Sequence, residues 1–429
     1  MKRFAYLLVA SVLLGAHIFA IPLGVAQLSA YRFMIILSAG LFLYKVIIHD
    51  VDLEVSFGHQ GRISPYQMFY FFWLLYAGIS LLWVESISRW IVGIFFVGTG
   101  IYSILFISYF IQEELDIKRI FNVFFIMSIF HHISGWIESL SVTFPKTTFG
   151  NQNDFATMLL AGIFVGFILF VNTKNIWLKL FLVLYSISGV LLIEVTGSRG
   201  NTVGLIVGLV AILAVKLLDL KLSRNIYYLI IGLIILFLVA LVLLPSFRED
   251  LGEFIIWLSA GRFRPRGSNR NRINMILNGL YFLLKSFGLG VGAGNVEYYL
   301  SNEAILYVDA PNIHNWFMDI LVGYGIVVFV CYIAMYIFII RRLFLNYTYS
   351  KNHFIRNTSL VLFGYLFAFI ISSMSSATNI IIEWQWVFWG MMIAFVQYTE
   401  KYAYTYSLTE HDLKTQRYYI NRGEHYEIT

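Results

Sequence analysis

Long apolar stretches separated by short polar breaks run through this chain from end to end. Segments of about 18 or more apolar residues are the length a helix needs to cross roughly 30 Å of hydrocarbon. They predict spans near 4–21, 30–48, 67–84, 90–111, 120–139, 155–171, 176–195, 202–218, 226–244, 314–340, 358–375 and 381–398. A β-barrel would show short alternating strands instead, so the spanning elements are helices. The pattern has one long polar interruption, from Pro245 to Asn312, and a polar, aromatic stretch after Tyr398. The expected architecture is therefore an all-α polytopic membrane protein, one integral domain over 1–429 with about twelve transmembrane helices, a large loop at 245–312 and a tail at 399–429. That tail is expected on the membrane surface or partly disordered.

Composition agrees. Of 429 residues, 59% are hydrophobic and 13% charged, with a mean hydropathy of +0.76, which excludes a soluble globular protein. The formal charge of +6 raises nucleic acid as a partner, but the basic residues sit in loops beside spans, so topology explains them better. Cys331 is alone, so no intrachain disulfide can form. Lys2 and Arg3 precede an apolar run to Ile21 with no small-residue cleavage site, so that run is read as the first span.

Charge in the short loops sets the orientation. Lys2, Arg3, Lys45, Arg62, Lys118, Arg119, Lys174, Lys179, Lys216, Lys221, Arg224, Arg341, Arg342, Lys351 and Arg356 fall on one side with the tail. The other side holds Arg32, Arg89, Lys146 and Arg199. The positive-inside rule then places both termini in the cytoplasm and the 245–312 loop outside. A substrate used there must arrive already activated, because ATP and nucleotide sugars are scarce outside.

The polar motifs all share that outer face. Asn151 and Asn153, in Phe-Gly-Asn-Gln-Asn, are either sugar-contacting amides or a cap for the span that follows. Arg199, in Thr-Gly-Ser-Arg-Gly-Asn, either clamps a phosphate or anchors a helix end at the headgroups. Gly200, Gly204 and Gly208 suit close helix packing. Arg270 and Arg272 open a segment with apolar residues at Ile273, Ile276, Leu277, Leu280, Tyr281 and Leu284, which predicts an amphipathic interfacial helix. Arg262, Arg264 and Arg266 read as contacts to anionic headgroups.

The run of glycines from Gly288 to Gly294 has no βαβ context for a nucleotide and reads as a flexible turn. Asp309, Pro311 and Asn312 signal a helix start, so His314 is expected in its first turn, either as a neutral base beside the positive helix end or as a structural histidine. No His or Cys neighbour stands at metal-ligand spacing, and no cofactor is implied. His17, His131, His132, Glu138, Glu194, Asp319 and Glu383 could form a proton path and so a transporter or flippase. Most of them sit near span ends, where snorkelling or local hydrogen bonds suffice.

Taken in order, these motifs resemble the bacterial O-antigen ligase and Wzy-type polysaccharide polymerase superfamily. The resemblance rests on Phe-Gly-Asn151-Gln-Asn153, Thr-Gly-Ser-Arg199-Gly, and Arg272 eighteen residues before Gly290-Val-Gly-Ala-Gly294. It continues with His314-Asn315 followed by Gly323-Tyr-Gly325. The layout covers nearly the whole chain. It departs where the family often has a tryptophan and a proline, at Ile276 and Phe287, and Arg270 competes with Arg272 for the matching arginine.

The resemblance implies a GT-C-like membrane glycosyltransferase of a bacterial cytoplasmic membrane. Its donor would be a glycan on undecaprenyl diphosphate, with Arg199 and Arg272 on the diphosphate and His314 on the acceptor hydroxyl. Arg270, Asn151, Asn153 and Asn315 would complete the substrate contacts. Implied partners are membrane lipids, a flippase and a chain-length regulator, with no nucleic acid. Polymerisation of repeat units and ligation of a finished glycan to a lipid or wall acceptor both remain open.

Overall fold

A computed structural model describes residues 1–15, 21–23, 26–48, 64–219, 268–309, 311–376 and 379–422. The expected span at 226–244, most of the large loop with Arg262, Arg264 and Arg266, and also His17, Arg62, Lys221 and Arg224 lie outside the described residues.

The fold is helical: α1 (Lys2–Leu13), α2 (Ala30–Ile47), α3 (Pro65–Ile79), α4 (Ile87–Phe110), α5 (Glu114–Ser139), α6 (Gln152–Asn172), α7 (Ile176–Val195), α8 (Arg199–Asp219), α9 (Ser268–Lys285), α10 (Val296–Asn302), α11 (Trp316–Tyr349), α12 (His353–Ser372) and α13 (Glu383–Arg422). A two-stranded antiparallel hairpin, Ile21–Leu23 with Ala26–Leu28, follows α1. Among the described residues, α2, α4, α5, α6, α7, α8, α11 and α12 are long and apolar enough to cross a membrane.

Two boundaries differ from the sequence reading. The helix α1 has 12 residues and is about 18 Å long, short of the hydrocarbon thickness, where one span to Ile21 was expected. At the other end α13 continues as helix as far as Arg422, so residues 399–422 extend the last helix where a separate tail was expected.

The helix ends sort into two groups. At one end, Glu114 at the start of α5 accepts from Asn352 before α12 (3.1 Å) and from Tyr398 of α13 (2.8 Å). Lys2 pairs there with Glu113 (2.9 Å). The opposite end gathers the starts of α6, α8 and α11 with the end of α12, and there the sequence motifs meet.

An aromatic cluster supports that second end from below. Trp73, Trp316, Tyr332 and Trp386 are buried, with Trp386 5.4 Å from both Trp73 and Trp316 between ring centroids. Trp316 donates to the Tyr332 hydroxyl (2.8 Å) and Trp386 to the Ile380 carbonyl (2.7 Å), so the rings are held by polar tips as well as by packing. Gly100 makes room for this cluster: a Cβ there would lie 2.3 Å from the Trp386 ring.

Candidate active site

Local chemistry fixes each helix start. Asn151 caps α6, its side chain accepting from the amides of Asn153 and Asp154 (2.8 and 3.0 Å). Asn315 caps α11 in the same way, through Phe317 and Met318 (3.0 and 3.1 Å). Of the two roles open for Asn151, the structure supplies the cap.

Because Asn315 takes the cap, His314 lies outside the helix and not in its first turn, where the sequence reading put it. Its backbone is left-handed (φ 49°), a region in which histidine is among the better tolerated non-glycine residues. Its amide donates to the Asn312 side chain (3.0 Å) and its ring Nδ1 lies 3.2 Å from the Ser376 carbonyl oxygen.

Ser376 joins the separate motifs. It closes the polar turn Ser372-Ser-Met-Ser-Ser376 after α12, and its hydroxyl meets Thr157 of α6 (2.9 Å) while Thr157 also donates to the Asn153 carbonyl (2.9 Å). Ser375 packs so closely on Gly200, next to Arg199, that a Cβ on Gly200 would fall 1.8 Å from its hydroxyl oxygen. Asn201 of α8 donates to the Asn153 carbonyl (3.4 Å). Thus Asn151, Asn153, Arg199, His314 and Asn315 share one end of the bundle, with Arg199 exposed there.

Arg272 joins them through α9. Asn271 accepts from the Asp309 amide (2.9 Å), Asn274 donates to the Tyr307 carbonyl (2.8 Å), and Asn278 accepts from Ile305 and Leu306 (2.9 and 3.0 Å). These three asparagines, on one face of the helix, fasten the segment that leads to His314. Arg272 is half-buried and close enough to His314 to act on its charge, whereas Arg270 is exposed. Burial first, and the Arg272 guanidinium second, hold the His314 imidazole below its ordinary range, against the Ser376 carbonyl, which favours the proton. The ring is therefore neutral at pH 7.

The glycine run is a docked element, where a flexible turn was expected. Helix α11 breaks at Gly325 (φ 78°, ψ 178°), a conformation open in practice only to glycine. The backbone groups around the break are taken up by the loop: Val291 and Gly292 donate to the carbonyls of Val322 and Gly323 (2.8 and 2.9 Å), and Ile326 donates to that of Gly288 (2.9 Å). Trp83 and Tyr76 add bonds to the carbonyls of Gly290 and Leu289 (3.0 and 2.8 Å). A broken helix at membrane depth is tolerated where protein satisfies its backbone, as it does here.

Gly200, Gly204 and Gly208 do pack α8 tightly on α12, as their spacing suggests. A Cβ on Gly204 or Gly208 would come within 2.8 or 2.7 Å of the carbonyls of Ala368 and Gly364. Among the described residues, five of the ionisable side chains weighed as a proton path have local partners. Glu138 accepts from the amides of Lys146 and Thr147, Glu194 from Thr202, and Glu383 pairs with Arg32 (2.7 Å). His131 meets the Leu13 carbonyl and His132 the Ser188 hydroxyl. Among the described residues no three His, Cys, Asp or Glu side chains gather as metal ligands.

Sequence reasoning missed the Ser372–Ser376 turn and the asparagine ladder of α9. The ladder was legible as a polar i, i+3, i+7 row opposite the apolar positions; the serine turn carries no spacing signal of its own.

Residues 181–333 match the family described as O-antigen ligase, a region that holds Arg199, Arg272, His314 and Asn315. The chain is also similar to the teichuronic acid biosynthesis protein TuaE of Bacillus subtilis (strain 168), with 28% identity over 410 residues, covering 91% of this chain and 83% of that protein. Both matches support the O-antigen ligase and polymerase superfamily for this chain, the family its motif order resembles.

Proposed function

We propose that this protein is a glycosyltransferase of a bacterial cytoplasmic membrane that polymerises undecaprenyl diphosphate-linked repeat units at the outer face. The observation that carries the reading is the meeting of His314 with the starts of α6 and α8 around Ser376, with Arg272 beside it.

The chemistry follows from the ring's tautomer. A carbonyl oxygen can only accept, so Nδ1 carries the hydrogen toward Ser376 and the lone pair stays on Nε2. Nε2 takes the proton of an acceptor hydroxyl as its oxygen attacks the anomeric carbon of the donor. The bond from that carbon to the diphosphate breaks, the configuration inverts, and the diphosphate leaves with both bonding electrons. Arg272 and Arg199 meet the charge that develops on it, the kind of contribution that is usually largest in such transfers. The diphosphate supplies activation, so no nucleotide is needed outside. Arg270 and Asn153 complete the substrate contacts, while Asn151 and Asn315 hold the helix starts that frame them. On this reading both termini are cytoplasmic, and a flippase supplies the donor while a chain-length regulator acts on the product.

A second reading is ligation of a finished glycan to a lipid or wall acceptor, favoured by the description of the matched family. Purified protein given one undecaprenyl diphosphate-linked repeat unit decides between them. A ladder of products establishes polymerisation, and transfer only after a second acceptor is added establishes ligation. Neither product with a range of authentic repeat units overturns both.

A further inference from the structure

A cavity of about 450 Å³ opens at the end of the bundle opposite His314, where α11 ends, α12 begins and α13 passes Thr399. Its lining includes two cations, Arg342 of α11 and Lys351 of the short turn between α11 and α12. Leu345 and Ile355 give it apolar wall. Two buried polar side chains of the lining are already paired: Asn346 donates to the Thr399 hydroxyl (2.8 Å), which donates in turn to the Val396 carbonyl (2.7 Å).

The cations are not used up by the protein. Arg342 is half-buried, and its Nε is enclosed without a hydrogen-bond partner among the described residues. The Glu400 carboxylate reaches it only as a long ion pair (3.7 Å). A guanidinium presents a fork of donors that matches the oxygens of a phosphate. Arg342 and Lys351 against Glu400 leave one net positive charge, the complement of a phosphodiester. Ser350, also in the lining, accepts from the Asn352 amide (3.2 Å) and keeps its own hydrogen for an acceptor. The surroundings make that phosphate a lipid's. Both α11 and α12 are long and apolar enough to cross a membrane, so their shared end lies at headgroup level. Phe338, Arg342, Leu345 and Tyr349 follow one another at i, i+4, i+7 and i+11 along one stripe of α11. Phe338 is exposed one turn below Arg342, and Tyr349 is exposed at the end, where aromatic residues mark the interface.

We infer that this cavity binds the headgroup of an anionic phospholipid, its phosphate held by Arg342 and Lys351 and an acyl chain lying along Phe338. Basic pockets between membrane helices suit such headgroups, and the volume is that of a small-ligand site. A zwitterionic phospholipid carries the same phosphate but also an ammonium, which the net positive charge disfavours. The cavity shares no residue with the groups assigned to transfer, so the inference stands or falls apart from the transferase reading.

The purified full-length protein, stripped of lipid in detergent, is given equal amounts of dioleoyl phosphatidylglycerol and dioleoyl phosphatidylcholine, and native mass spectrometry counts what stays bound. Phosphatidylglycerol is expected to be favoured about fivefold, the effect of one charge at a membrane surface. Arg342→Gln is expected to lower its binding about tenfold, the size of a lost charge-assisted hydrogen bond. Lys351→Gln is expected to lower it about fivefold. Arg341→Gln removes the same charge from an exposed residue outside the cavity and should change binding by less than about twofold. Because Lys351 is exposed, its variant set against Arg341→Gln decides the matter even if Arg342→Gln does not fold. Glycerol 3-phosphate at the same concentration as the lipid is expected to leave it in place. Equal binding of the two lipids, equal losses in the Arg341 variant and the cavity variants, or displacement by glycerol 3-phosphate overturns the inference. The last of these would make the ligand a free phosphate ester, and equal losses would mean diffuse attraction to the whole basic end.

Discussion

The imidazole Nδ1 of His314 lies 3.2 Å from the carbonyl oxygen of Ser376, which binds the turn after α12 to the residue placed to act as base. That contact sets the tautomer and leaves Nε2 as the proton-accepting nitrogen. His314→Ala is expected to lower transfer by about 10²-fold or more, the usual contribution of a positioned base. The protein should still insert and unfold as before, since Asn315 caps the helix without it. A ladder assay beside a thermal unfolding curve checks both halves.

The pH dependence has a definite sign. Burial and Arg272 both lower the His314 pKa, so the ring stays neutral through pH 7 and protonates only below its ordinary value of about 6.5. Activity is expected to hold at neutral pH and to fall on an acid limb below about 6.5. Arg272→Gln removes the second cause and should move the limb to higher pH. NMR titration of the His314 ring in both proteins reads the shift directly, and a limb that stays in place would show that Arg272 does not act on His314.

Arg270 and Arg272 are two residues apart and placed differently. Arg272 is half-buried beside His314, and Arg270 is exposed. Arg272→Ala is expected to cost about 10²- to 10³-fold in turnover, the range for removing one donor to a developing anion. Arg272→Lys should recover part of it, because the charge returns without the forked geometry. Arg270→Ala is expected to change turnover by less than about tenfold, consistent with an exposed contact of modest energy. The reverse ranking would transfer the role to Arg270.

Much of this site could be read before its geometry was known. Caps and turns are local, so Asn151, Asn153 and the start signal before α11 carry their own spacing. The link between them is not local. Thr157 and Ser376 are 219 positions apart, and nothing in a serine-rich turn says which helix start it will reach. The same limit explains the glycine run. Gly288, Gly290, Gly292 and Gly294 all have positive φ, which a flexible turn and a docked loop would share, and only the break at Gly325 shows that they are docked.

That docking makes its own prediction. Gly290 has φ 80°, and a Cβ on it would come 2.5 Å from the Gly325 amide nitrogen. Gly290→Ala and Gly325→Ala should each destabilise by about 1–3 kcal/mol, from the strained backbone and the forced separation together. A flexible turn would accept alanine at Gly290 with little change. Thermal unfolding in detergent, followed by tryptophan fluorescence, distinguishes the two.

The packing of α8 on α12 gives the last test, because two glycines on one face should respond differently. At Gly204 a Cβ would press on the Ala368 carbonyl at 2.8 Å, and backbone in a packed helix cannot step aside. Gly204→Val is therefore expected to push the helices apart at a cost of about 1–3 kcal/mol and to carry Arg199 away from His314, lowering activity as well as stability. At Gly200 the nearest atom is the Ser375 hydroxyl, which can rotate. Gly200→Ala should cost less than about 1 kcal/mol, no more than one hydrogen bond. Unfolding curves of the two variants, compared with their transfer rates, check the ranking, and equal losses at both positions would mean that α8 sits differently on α12.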